Sequence, residues 1–179
     1  MKSNELLLDA FGRIRATVEA VLDGTDESGL TRRPGGTGNS IAWLLWHLAR
    51  VEDAQVSSAA GLPQVWTAQA FAGRFGLPLP ERDTGYGHSS AQVDSVTAGP
   101  DLLLEYYDAV HRQTAGFIEG LDDGGLDRVV DERWDPPVTL GVRLVSTVAD
   151  CLQHVGQAAY AKGLGGCSAQ APGQAGCCV

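Results

Sequence analysis

Along this chain, long stretches of residues with helical periodicity alternate with turn-forming runs. Leu7, Phe11, Ile14, Val18 and Val21 recur at steps of four and three, which predicts an amphipathic helix over residues 3–22, ended by Gly24. A glycine-rich loop through Pro34-Gly35-Gly36 precedes a second helix, capped by Asn39 or Ser40, running to Ala60 and closed by Gly61 and Pro63. Pro100 fits the first turn of a third helix reaching about Gly120, with Leu104, Tyr107, His111 and Ile118 along one row. Thr139, following Pro136-Pro137, can cap a fourth helix that ends before Gly163.

The crossover between the second and third helices holds shorter pieces. Residues 66–75 suit a short helix, and Ser89 with Gln92 forms a capping box for another, after the turn-rich Thr84-Gly85-Tyr86-Gly87-His88. No run alternates at period two, so strands are not expected. Four long helices and one elaborate crossover predict an all-α four-helix bundle over residues 1–165. Residues 166–179, rich in Gly, Ala, Pro, Gln and Cys without apolar period, are expected to form a flexible tail.

Composition narrows the partners. In a chain of 179 residues, 44% hydrophobic, 22 acidic side chains against 13 basic ones give a net charge of −9. A nucleic acid or an anionic membrane needs a basic face, so a small molecule or another protein is the expected partner. The N-terminal Leu6-Leu7-Leu8 is broken at once by Asp9 and followed by Arg13 and Arg15, unlike a secretory or anchoring segment, and a cytoplasmic protein is expected. Cys151 lies within a helical pattern and Cys167, Cys177 and Cys178 near the end, which is no disulfide framework.

The chemistry concentrates on the fourth helix. Asp150 and His154, four residues apart, lie one turn apart on one face, and His47 in Trp43-Leu44-Leu45-Trp46-His47-Leu48 could reach them from a facing helix. Two imidazoles and a carboxylate leave coordination positions open, as a catalytic metal requires. The plainer readings are a solvated polar helix face for the pair and a hydrogen-bonded core histidine for His47. Winding the helix puts Leu144, Val145, Val148, Ala149, Cys151, Leu152, Val155 and Ala159 on one side, expected to be the core. Arg143, Ser146, Thr147, Asp150, Gln153, His154 and Gln157 fall on the other. That polar side lacks lysine and glutamate. Its short hydrogen-bonding residues suit the orientation of ligands or contact with a polar substrate, and Arg143 could hold a substrate carboxylate. Glu52 and Gln55 could support the ligands or lie exposed. His88 belongs to a turn-rich stretch, either at the surface or on a loop covering the site. His111 shares the Tyr107 row and ranks below the triad. Cys151, opposite Asp150, reads as packing. Dinucleotide fingerprints, phosphate loops and nucleophile elbows are absent.

Four motifs in order carry a resemblance: Asn39-Ser-Ile-Ala-Trp-Leu-Leu-Trp-His47-Leu-Ala, Gly85-Tyr-Gly-His88, Trp134-Asp-Pro-Pro, and Asp150-Cys-Leu-Gln-His154-Val-Gly-Gln157. Together they resemble the DinB/YfiT-like superfamily, in its actinobacterial branch near the mycothiol-dependent maleylpyruvate isomerases. The resemblance implies an up-down-down-up bundle, often a homodimer, with a divalent metal on His47, Asp150 and His154. Many members have histidine at the first position of the last-helix pair and the isomerases glutamate, where this chain has Asp150. Zinc is the first expectation for the metal, with nickel, iron and manganese as alternatives. The implied activity is S-transfer from a low-molecular-weight thiol such as mycothiol, bound as thiolate, to a small electrophile, with Arg143, Gln157 and His88 as candidate substrate contacts. The same donor set also describes a non-haem Fe(II) enzyme, and a non-catalytic metal- or ligand-binding bundle is a third class. Trp43 and Trp46, expected on opposite sides of the second helix, add a reason to anticipate a homodimer.

Overall fold

The computed structural model of the chain describes residues 1–167. Its long helices are α1 (Ser3–Leu22), α3 (Ile41–Ala60), α7 (Pro100–Glu119) and α9 (Leu140–Cys167). Short helices α2 (Glu27–Thr31), α4 (Val65–Ala68), α5 (Phe71–Phe75), α6 (Ser90–Asp94) and α8 (Asp123–Leu126) fill the connections. Strands β1 (Val129–Asp131) and β2 (Val138–Thr139) form an antiparallel pair before α9.

The four long helices form a ring in which α1 touches α7 and α9, and α3 touches the same two. Side-chain bonds fix their directions. Arg15 meets Asp108 and Asn4 meets the Glu119 carbonyl, so α1 and α7 are antiparallel. Arg50 meets Tyr106 while Ser57 meets Gln113, so α3 and α7 are parallel. Gln55 meets Arg143 and Leu48 meets Cys151, so α3 and α9 are antiparallel. This is the up-down-down-up bundle that the resemblance implies. Phe11, Ile14, Leu44, Leu48, Tyr106, Tyr107, Ile118 and Leu144 fill its centre.

The caps explain where the helices begin. Ser40 accepts from the Trp43 N–H at 3.2 Å to start α3, and Gly61 ends it in the left-handed conformation. Ser89 and Gln92 make the expected capping box of α6. The stretch 66–75 is two short helices rather than one, because Ala70 turns left-handed between them. Helices α2 and α8, opened by Asp26 and Asp122 caps, are too short to show a period, as are the two strands.

Further expectations need correction, beside the split of 66–75 and the two strands that were not expected. Trp43 and Trp46 are 5% and 1% exposed, because loop and crossover pack over the flank of α3 that the bundle leaves bare, so the tryptophans give no reason for a dimer. On α9, the buried row is Leu140, Leu144, Thr147, Cys151, Val155, Ala158 and Ala161, whereas Val145 and Leu152 are 61% and 47% exposed. The helix rolls so that Arg143, Asp150 and His154 meet α3 while Ser146, Gln153 and Gln157 stay exposed, and part of its apolar side faces outward. It also continues past Gly163 to Cys167. Glu52 is wholly buried, away from the ligands, with Tyr107 donating to it at 3.0 Å. The expected flexibility of the tail concerns mainly residues 168–179, which lie outside the described residues.

The crossover is anchored by one buried acid. Asp53 accepts the N–H groups of Val65 and Trp66 at 2.8 Å each, together with the hydroxyls of Ser57 and Tyr106. Arg50 lies beside it, bonded to Gln64 and to the Asp83 carbonyl and stacked over Trp66. A buried carboxylate beside a guanidinium and saturated with donors costs little to bury, and it ties α3 to α4 and to the loop at Asp83.

Candidate metal centre

His47 leaves α3 two turns after its cap, where every residue from 41 to 50 is buried. Asp150 and His154 leave α9 on the row that faces α3. The antiparallel register of the two helices brings these three side chains together. One ligand-type atom from each lies within 4.8 Å of the others, the sole such cluster of three or more among the described residues. The His47 and His154 rings are 4.6 Å apart and nearly perpendicular, and Asp150 Oδ1 is 3.7 Å from His154 Nε2.

Hydrogen bonds aim the ligands. The Thr84 carbonyl accepts from His47 Nδ1, leaving Nε2 with its lone pair. Gln157 Oε1 accepts from His154 Nδ1 at 3.2 Å with the same consequence. Burial pushes the His47 pKa down, outweighing the Thr84 bond that raises it, and nearby His154 adds to the fall. A neutral imidazole is the form that ligates a metal. Asp150 Oδ2 is buried without a hydrogen-bond partner. Two lone pairs and an orphaned carboxylate oxygen converging on one point fit a divalent cation.

The loop over His47 is built for close approach. Gly85 has φ of 96°, and a Cβ there would lie 2.7 Å from His47 Nδ1 and 3.1 Å from both the Trp43 and Trp46 rings. Only glycine lets the Thr84 carbonyl reach the imidazole. Asp83 accepts from the Gly85 N–H at 2.9 Å and from His88 Nε2 at 3.0 Å, while Trp43 Nε1 donates to His88 Nδ1 at 3.0 Å. Trp43 in turn stacks on His47, with ring centroids 4.7 Å apart.

The expected site residues thus separate by position. His47, Asp150 and His154 come together. Gln157 and His88 stand behind the ligands, with His88 holding bonds at both ring nitrogens. Arg143 lies further along the seam, donating to Gln55 Oε1 at 2.6 Å and Asp131 Oδ2 at 2.9 Å. His111 is on α7 beside Tyr107 and outside the cluster. Sequence reasoning missed the parts played by Asp83, Thr84, Gly85 and Trp43. The two glycines around Tyr86 were the available sign of a tight backbone approach.

An antiparallel helix pair presenting two histidines and a carboxylate within one four-helix bundle defines the class: an all-α bundle with a candidate metal site. A family model described as mycothiol S-transferase matches residues 6–164, and the chain belongs to that family. A crystal structure of a conserved protein from Enterococcus faecalis is similar throughout, at 31% identity and a TM-score of 0.85, covering 92% of this chain and 97% of that one. No curated protein matches the chain. Among the described residues, no helix is long and apolar enough to cross a membrane.

Proposed function

We propose that the protein is a cytoplasmic thiol S-transferase that uses a divalent metal, zinc in the first instance, held by His47, Asp150 and His154. The observation that carries this reading is the orphaned, buried Asp150 oxygen beside two imidazoles whose outer nitrogens are already engaged. A divalent cation bound there lowers the pKa of a coordinated thiol, so that the nucleophile forms near neutral pH. The protein's own groups orient and shield. Thr84 and Gln157 fix the imidazole tautomers, while Trp43 and the loop 83–88 keep water from the back of His47. In the transfer step the sulfur electron pair forms the new S–C bond. The leaving group departs with the bonding pair or, in an addition, a proton from water completes the product. Mycothiol is the expected thiol, and the acceptor is a small electrophile that Arg143 can contact. No nucleic acid or membrane enters the reaction.

The donor set also suits non-haem Fe(II) chemistry; metal analysis on protein purified without chelator separates the two. We further propose a homodimer through α9. Val142, Val145, Ala149, Leu152, Gly156, Ala159 and Gly163 are exposed and spaced alternately by three and four, a seam that suits a second copy of the same helix.

The test of the main reading is thiol-dependent consumption of a model electrophile by metal-loaded protein. Turnover should disappear in His154→Ala and remain in His111→Ala. Turnover that survives in His154→Ala would refute it.

A further inference from the structure

Along the seam from the triad, α3, the β1–β2 hairpin and α9 line a cleft of about 170 Å³ that includes Gln55, Ser58, Asp131, Arg133 and Arg143. Its charge runs against the rest of the chain, whose net charge is −9. Two guanidinium groups face one carboxylate. Arg133 holds Asp131 through Nε and Nη2 at 2.9 Å each, and Arg143 reaches Asp131 Oδ2 at 2.9 Å. Asp131 and Gln55 use only part of the N–H forks of Arg133 and Arg143. Arg143 is only 20% exposed, and its two partners fix its plane, whereas Arg133 is 86% exposed and leaves its Nη1 towards solvent, outside its bidentate contact with Asp131. Two guanidinium groups held in place by one carboxylate, with donors left over, make an arrangement suited to an anion.

Position connects this cleft to the chemistry. Arg143 precedes Asp150 by two turns on the same row of α9, a rise of roughly 10 Å. Gln55 follows His47 by just over two turns on the facing helix, roughly 12 Å. The cleft and the triad therefore share the α3–α9 seam, separated by the length of a small metabolite. The volume admits a carboxylate and a few carbons.

We infer that this cleft is an anion subsite, and that a substrate reacting at the triad carries a carboxylate that Arg133 and Arg143 hold. The inference rests on the proposed transferase reading for its link to the reaction, but the anion site can be tested without turnover. Calorimetry of the full-length, zinc-loaded protein with succinate, and with its dimethyl ester as the uncharged control, measures the site directly. Succinate should bind and the ester should not. Arg133→Gln and Arg143→Gln should each weaken binding at least about tenfold, in line with the loss of a charge-assisted bidentate contact. Removal of the metal ligand in His154→Ala should leave succinate binding in place. Arg133 is exposed enough that its replacement spares the fold, so the test survives if Arg143→Gln does not fold. Binding retained in Arg133→Gln but lost in His154→Ala would place the carboxylate on the metal and overturn the inference, as would no succinate binding by the parent. In transfer assays, a KM raised by Arg133→Gln for a carboxylated acceptor assigns the anion to the acceptor. A KM raised for a carboxylated thiol assigns it to the thiol, and neither KM moving contradicts the subsite. Succinate binding with no turnover for any pair would count against the transferase reading alone.

Discussion

Glu52 places its carboxyl wholly inside the bundle, where burial raises its pKa to about 7 against the opposing hydroxyls of Thr114 and Tyr107. In the fold it keeps its proton up to about pH 7, while in the unfolded chain it ionises near 4.5. Its favourable contribution is therefore complete below pH 4.5 and declines as pH rises through 7. The shift corresponds to a loss of about 3 kcal/mol once both states are ionised. Glu52→Gln, which keeps an oxygen for Tyr107, should remove that slope. Urea unfolding at pH 5 and pH 8 should show the variant gaining on the parent between them by up to about 3 kcal/mol; parallel profiles would contradict this. The same residue shows the limits of the sequence. Its place on α3 was clear, but whether it faced solvent, ligands or core depended on where α7 packs. His47, Asp150 and His154 were legible because helix spacing and residue type agree. Thr84 was not, since any residue can offer a carbonyl and only a three-dimensional approach makes it matter.

Among the elements, the long helices were readable to within a residue or two at most ends because caps and apolar periods coincide. The roll of α9 was not readable. Its sequence has apolar residues on nearly two thirds of its circumference, so periodicity alone cannot choose which third is buried. The structure buries the row through Leu144, Cys151 and Val155 and leaves Val145 and Leu152 outside. If that outer stripe is a dimer seam, light scattering at micromolar concentration should give twice the chain mass, and Val145→Glu with Leu152→Glu should give a monomer of unchanged helicity. A monomeric parent would remove the proposal. The loop 83–88 is the other element whose part emerged only in three dimensions. Gly85→Ala would push a methyl group into His47 at 2.7 Å while lying outside every long helix. The bundle should stay folded, while metal affinity falls by about 10–100-fold, the usual cost of losing the group that aims a histidine ligand. Metal titration alongside circular dichroism checks both halves, and wild-type affinity would show that the loop does not hold the imidazole.

For the whole molecule, the bundle is a scaffold that stands without the site. Its core of leucine, isoleucine, valine and aromatic side chains runs through all four long helices, while the triad occupies one seam between two of them. If the triad holds a metal as proposed, an open site of three ligands on such a scaffold contributes little to folding. Loss of a ligand should therefore empty the site and spare the fold. The most direct measurement is metal stoichiometry by elemental analysis of protein purified without chelator, for the parent, His154→Ala and His111→Ala. The account predicts one divalent ion per chain in the parent and in His111→Ala, and almost none in His154→Ala, with equal helical circular dichroism in all three. Full metal retention in His154→Ala, or loss confined to His111→Ala, would contradict it.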